Sequence, residues 1–574
     1  MKTSDYIMNY LEQRGVTHIF EVIGGMITHL VDSAYRQEGL QLVSTHHEQS
    51  AAFAADAMGR ITGIPGVAMA TSGPGAVNLL TGIGSCYFDS VPAVFITGQV
   101  NIHEQKGDRE IRQLGFQETD IVSMARPITK AAWAVQSSDQ IPFLLEEAFR
   151  LAVSGRPGPV LLDIPMDVQR QDIPTVTELS NLQSPDPFLD REFFDLLTQN
   201  LTKAKRPLIL AGGGIHSARA LQLFRQFVDL LQLPVVNSLM AVDVLPHQHP
   251  MRVGLIGSYG NRWANTALGE CDLLLVLGSR LDIRQTGADV KAFQEGRIIF
   301  HVDCESGEIN NRLSDCYPAV TDLRSFLSAA IDMFQSRKPY LLQPEWLARI
   351  SQLRQQWPDT DEIKGVSGIN PNSFMHKLSS ASQQAGAYIV DVGNHQMWAA
   401  QSIEVNANQR FLTSGGMGSM GFSLPAAIGT SLAMSKVPVV QICGDGGMQM
   451  NIQELQTIVH HKLPVKMVIL NNHSYGMVRQ FQQSYFHERY ASTYFGYSTP
   501  DFSKVASAYG IQSVEIENDS EIEHGLMRLW HNPLEPFLLQ VNISVEANAY
   551  PKIAFGHPIT QMEPFAKPLD MEGT

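Results

Sequence analysis

Uninterrupted apolar runs of strand length recur along the chain, separated by stretches in which apolar residues return every three or four positions. GVAMAT, PAVFITG and PVLLDIP fall in the first third, RPLILAGGG, LPVVNS, DLLLVLGS and RIIFHVD in the middle, and AYIVDVG, VPVVQICGDG, VKMVILNN and PFLLQVNI in the last. Strands apolar on both faces and alternating with helices predict parallel sheets covered on both sides. The fold class is therefore α/β, and the recurrence predicts three doubly wound parallel-sheet domains. Ile7, Leu11 and Val16 suggest an amphipathic helix at the N-terminus.

Two polar, Pro-containing stretches read as linkers: QRQDIPTVTELSNLQSPDP (169–187) and the segment 335–373. They divide the chain into 1–170, 185–340 and 365–574. A length of 574 residues agrees, at roughly 100–200 residues per domain.

Composition narrows the function classes. The net charge is −15 and no basic stripe appears, which argues against nucleic acid as a partner. No apolar run approaches the ~20 residues that span a bilayer, and the N-terminus lacks the apolar core of a signal peptide. Cys86, Cys271, Cys304, Cys316 and Cys443 are scattered with no C-x-x-C, which argues against a zinc site or a disulfide framework. A soluble, cytoplasmic protein is expected.

One stretch carries chemistry: GDGGMQMNIQELQTIVHHKLPVKMVILNN, from Gly444 to Asn472. VPVVQIC before it reads as a strand and GDGGMQMN as a turn. IQELQTIVHHK reads as a helix with Ile452, Leu455, Ile458 and Val459 on one face, and LPVKMVILNN as the next strand. Asp445 and Asn472 then stand at carboxyl ends of parallel strands, where open α/β sheets bind ligands. Glycines let the backbone approach an anion, and the helix start offers N–H groups to phosphate oxygens. Magnesium takes few protein oxygens in octahedral geometry, the rest coming from phosphate and water. Asp445, Asn472 and the Ser474 carbonyl could supply them. The competing reading is a Gly-rich turn with no ligand. A nucleotide site is disfavoured: no G-x-x-x-x-G-K-[ST] occurs, and GGGIHS (212–217) only half-matches the dinucleotide fingerprint.

Gly-Asp-Gly followed after a gap by Asn-Asn resembles the thiamine-diphosphate motif. STHHEQSAAFAADAMGRITG, ATSGPGAVNLLTGI, FQETDIV, PITK, SGRPGPVLLDIPMDV, HQMWAAQ and SGGMGSMGFSLPAAIG extend the resemblance to the large catalytic subunit of acetohydroxyacid (acetolactate) synthase. That resemblance implies a pyrimidine-binding first domain, a central FAD-type domain and a diphosphate-binding third domain. It implies a transferase that decarboxylates pyruvate and joins the two-carbon unit to an acceptor carbonyl, as in branched-chain amino acid biosynthesis. Its cofactors would be thiamine diphosphate, Mg2+ and FAD.

By the same resemblance Glu48 is the activating glutamate, Met420 the support beneath the folded cofactor, and the Gly418 carbonyl the acceptor for its amino group. Gly393, Asn394 and His395 match diphosphate contacts, with Asn394 where the family commonly has Gln, and Gly446 and Gly447 add backbone contacts. Phe116 and Gln117 match residues that line the substrate pocket from a partner subunit. Arg156, Gly212, Gly213, Arg280, Arg284 and Asp303 match the FAD site. A homodimer or homotetramer is implied, and a regulatory small subunit is a further partner the family allows.

The sequence also departs from that pattern. Phe481 stands where the family usually has Trp, Met166 where it has Lys, and FEVIGG (20–25) replaces Gly-Tyr-Pro-Gly-Gly. A longer loop (101–115) and an unusual C-terminal tail accompany these. RQLGFQETDIV is similar to carboligases of branched-chain deoxysugar pathways, whose acceptor is a nucleotide-linked keto sugar. That activity, a flavin-dependent pyruvate oxidase and a non-catalytic cofactor-binding homologue are the alternatives.

Overall fold

The computed structural model describes residues 1–173, 188, 190–336 and 344–570. Three six-stranded, wholly parallel sheets follow one another along the chain. The first contains β1 (His18–Val22), β2 (Gln41–Ser44), β3 (Gly66–Ala70), β4 (Ala93–Gln99), β5 (Ala131–Ala134) and β6 (Pro159–Pro165). The second contains β7 (Pro207–Ala211), β8 (Val235–Asn237), β9 (Arg252–Leu255), β10 (Leu273–Leu277), β11 (Ile298–Asp303) and β12 (Tyr317–Val320). The third contains β13 (Ala387–Val390), β14 (Arg410–Thr413), β15 (Val439–Gly444), β16 (Val465–Asn471), β17 (Gln512–Ile516) and β18 (Phe537–Asn542).

The outer sheets share one strand order, β2-β1-β3-β4-β6-β5 and β14-β13-β15-β16-β18-β17. The middle sheet runs β12-β11-β10-β7-β8-β9, the order of dinucleotide-binding folds. The α/β class holds throughout, but the repeated unit is of two kinds. Every apolar run named above is a strand. The strands that the runs do not reveal are mostly short or lie at sheet edges. β12 is one of them: it ends its sheet, and three of its four residues are exposed.

The first and third domains share one hydrophobic core. The helix Glu48–Thr62 packs along Ser423–Ala433, with the Phe53 and Phe422 rings edge to face, centroids 5.5 Å apart. The contact is close because the facing residues are small. A Cβ on Gly429 would stand 2.1 Å from the Ala54 carbonyl oxygen. Interiors packed this densely have no room for added methyl groups.

Two readings of local structure are corrected. The turn GDGGMQMN is helical from Asp445 to Met450, so Asp445 opens a helix directly at the end of β15. The linker read at 335–373 contains the helix Pro344–Gln356. Trp346 and Leu353 bury against the middle domain, and Trp346 Nε1 donates to the Pro207 carbonyl at 3.1 Å. Most of the linker read at 169–187 lies outside the described residues. Among the described residues no helix is long and apolar enough to cross a membrane.

Candidate functional site

The crevice of the third sheet opens between β13 and β15, where the strand order reverses. Gly444 pairs with Leu470 across β15 and β16, so Asp445 and the turn after Asn471 emerge at the same level. Asp445 is 2% exposed, and Tyr497 Oη donates to its Oδ2 at 3.0 Å. Burial pushes the Asp445 carboxyl up to about 6, against the pull of Tyr497 and the backbone N–H groups of Gly446 and Ser474. Asn472 Oδ1 accepts the Ser474 N–H at 3.2 Å. The Ser474 carbonyl accepts from Gly476 N at 2.8 Å.

Glycine is required around this point. A Cβ on Gly446 would meet the Tyr475 ring at 2.5 Å, and one on Gly447 would meet Asp391 Oδ1 at 2.6 Å. One on Gly476 would meet Asn472 Nδ2 at 2.6 Å and Asn394 Nδ2 at 2.8 Å. Backbone and amide groups therefore approach more closely than side chains would allow.

Buried polar atoms without partners mark the same crevice: Asn394 Oδ1, His395 Nε2, Asn471 Nδ2 and Ser419 Oγ. Leaving such groups unpaired away from water is costly, so a polar ligand fits here. Burial holds His395 down to about 3, so it is a neutral imidazole. Asp391, fully buried at the end of β13, accepts from Gly421 N at 2.9 Å and Ser423 N at 2.8 Å. It thereby fixes the loop bearing Gly418, Met420 and Gly421, whose glycines have φ of +70° and +81°. Gly393 precedes the helix Asn394–Ser402, which starts at the same crevice.

In the first domain Glu48 opens its helix, capped by His47. Asn78 Nδ2 donates to Glu48 Oε2 at 2.9 Å. A Cβ on Gly75 would lie 3.1 Å from Glu48 Oε1, and one on Gly73 3.0 Å from Gln117 Cβ. Glu48 and Gln117 therefore gather around the turn after β3. Gln117 holds a left-handed φ of +66°, and the neighbouring Phe116 is 79% exposed.

The middle sheet opens between β7 and β10. Gly213, Arg280, Arg284 and Asp303 line one cleft together with Arg156 of the first domain, and the cleft reaches Gly415 and Gly416 of the third. Gly212 backs it: a Cβ there would strike the Gly278 carbonyl oxygen at 2.0 Å. Arg156 pairs with Glu305 at 2.9 Å and Glu308 at 2.7 Å.

Asn78, Asp391, Asn471 and Tyr497 are not among the residues singled out from sequence. Asn78 lies inside the quoted ATSGPGAVN and Asp391 directly after AYIV, but their partners are distant in the chain. Asn471 is half of the asparagine pair. Tyr497 sits in a loop with no periodic signal.

Residues 1–124 match the family model described as the N-terminal TPP binding domain of thiamine pyrophosphate enzymes. Residues 195–330 match the central domain and residues 391–541 the C-terminal TPP binding domain of the same enzymes. The acetolactate synthase large subunit of Lactococcus lactis subsp. lactis (strain IL1403) is 35% identical over 557 residues, covering 96% of this chain and 94% of the relative. The acetolactate synthase isozyme 2 large subunit of Escherichia coli (strain K12) is 36% identical over 563 residues, covering 98% of this chain and 99% of the relative. The acetolactate synthase large subunit of Porphyra purpurea is 36% identical, covering 98% and 95%.

Proposed function

The chain belongs to the thiamine pyrophosphate enzymes, as a relative of the acetolactate synthase large subunits, and on that premise we propose how its residues serve the reaction. It is a thiamine-diphosphate-dependent enzyme that decarboxylates pyruvate and ligates the two-carbon unit to an acceptor carbonyl. Thiamine diphosphate supplies the carbon nucleophile and the electron sink. Glu48 would hold the proton on its aminopyrimidine, and Asn78 orients that carboxylate.

Asp445, Asn472 and the Ser474 carbonyl would hold Mg2+. Gly446, Gly447, Gly393, Asn394 and His395 would receive the diphosphate, with Met420 and the Gly418 carbonyl supporting the rings. The observation that carries this reading is the emergence of Asp445 and the Asn472 turn at the same level from the neighbouring strands β15 and β16, beside buried polar atoms that lack partners. Phe116 and Gln117 would line the substrate pocket. FAD suits the middle cleft, whose strand order and glycine approach are those of nucleotide sites.

Glu48 bonds within the first domain and Asp445 within the third. Val77, Tyr87, Phe88, Met417 and Met450 expose apolar surface from these two domains, which favours a second copy completing the site, as a homodimer or homotetramer. A regulatory small subunit is a further partner to test.

The acceptor has two readings. A second pyruvate, giving acetolactate, follows from the relatives' names. A bulkier carbonyl such as a nucleotide-linked keto sugar is favoured by Phe481, 38% exposed and packed on Tyr485 at 4.8 Å, in the place of the family's larger Trp. Labelled pyruvate supplied alone decides between them. Rapid acetolactate formation supports the first reading, and turnover that requires an added sugar carbonyl supports the second. Absence of Mg2+-dependent thiamine diphosphate binding by calorimetry would refute the site itself.

A further inference from the structure

We propose that Tyr497 is a positioning residue for the divalent cation, clamping one oxygen of Asp445 so that only the other is free to coordinate. This rests on the reading of Asp445 as a metal ligand. Tyr497 Oη donates to Asp445 Oδ2 at 3.0 Å, and its ring packs on Tyr475 with centroids 4.5 Å apart. The two rings cover Gly446: a Cβ there would meet Tyr475 Cε1 at 2.5 Å and the Tyr497 hydroxyl at 3.3 Å.

The support under these rings is built rather than incidental. Tyr475 N donates to the Thr493 carbonyl at 3.0 Å, and Ser474 Oγ donates to the same carbonyl at 2.8 Å. The segment that carries Tyr497 is therefore tied to the turn that carries Asn472 and Ser474. A shift of one moves the other.

A carboxylate can meet a cation with one oxygen or two. Magnesium demands near-ideal octahedral geometry at short distance, whereas calcium tolerates two-point carboxylates and larger coordination numbers. A phenol bonded to Oδ2 removes the two-point mode and fixes the orientation of Oδ1. Hydrogen bonds to a ligating group of this kind typically change metal affinity by roughly 10- to 100-fold.

The test compares Tyr497→Phe with Asp445→Asn by calorimetric titration of Mg2+, and separately of Ca2+, in the presence of thiamine diphosphate. Tyr497→Phe keeps the ring and its tilted contact with Tyr475, so the fold is preserved. The expected result is a Mg2+ Kd raised roughly 10-fold or more, an affinity ratio shifted toward Ca2+, one metal still bound per chain, and turnover largely recovered at saturating Mg2+. If Asp445→Asn abolishes metal binding while Tyr497→Phe matches the wild type for both ions, the role of Tyr497 is overturned and the site reading stands. If Asp445→Asn binds Mg2+ as the wild type does, the site reading fails and the inference with it.

Discussion

Asn78 reaches back to Glu48, its side-chain amide donating to Oε2 at 2.9 Å. The carboxylate at the head of its helix is therefore held in one orientation before any ligand arrives. Glu48→Gln should lower turnover by at least ~10²-fold, the scale of a lost acid–base group, while thiamine diphosphate affinity stays within a few-fold. Steady-state rates and calorimetry on the same preparation check both halves. Asn78→Ala should cost less, because the carboxylate remains.

Asp391 controls the loop beneath the proposed cofactor rings. Asp391→Ala removes the acceptor for the buried Gly421 and Ser423 N–H groups, at ~1–3 kcal/mol for each group left unpaired. The thermal midpoint should fall by several degrees, and thiamine diphosphate should bind at least about 10-fold more weakly as Met420 loses its support. A titration of FAD into the same variant should be unaffected.

Gly429 allows the outer domains to touch. Since a Cβ there would lie 2.1 Å from the Ala54 carbonyl oxygen, Gly429→Ala must push backbone from backbone. A loss of roughly 1–3 kcal/mol is expected, as for other overpacked cores, read as a lower denaturation midpoint by urea titration.

Asp163 makes stability depend on pH. Its carboxyl accepts from Thr97 Oγ1 at 2.7 Å and Gln99 Nε2 at 3.0 Å, yet burial pushes it up to about 7 from an ordinary 3.8. Between those values the folded chain keeps a proton that the unfolded chain has lost. This group's contribution therefore falls as pH rises from about 4 to 7 and is level above. Asp163→Asn cannot ionise. It should match the wild type near pH 4 and exceed it by up to ~4 kcal/mol at pH 8, measured as the difference in unfolding free energy.

Much of this was legible from residues alone, for physical reasons. Buried parallel strands are apolar on both faces, so β4 and β16 announce themselves. β2 and β12 lie at sheet edges and expose side chains, which erases the signal. The place of Asp445 at a strand end was legible because a Gly-rich break directly follows an apolar run. The helix that Asp445 begins was not, since two glycines weigh against helix and tertiary contacts override them. Tyr497 and Asp391 act on residues 52 and 30 or more positions away, and no local pattern encodes such pairings. The helix Pro344–Gln356 reads as linker because its mean character is polar. Trp346 and Leu353, which anchor it, are too few to stand out.

The common core of the outer domains also sets the order of events at the ribosome. The small-residue flank of Glu48–Thr62 has no mate until Ser423–Ala433 has been synthesised, some tens of seconds later at roughly 5–20 residues per second. During that interval the nascent first domain presents a sticky, unfinished surface, and the middle domain can finish folding while it waits. Chaperone demand should therefore concentrate on the N-terminal third of the nascent polypeptide, and a chain truncated before residue 423 should aggregate rather than yield a well-behaved fragment.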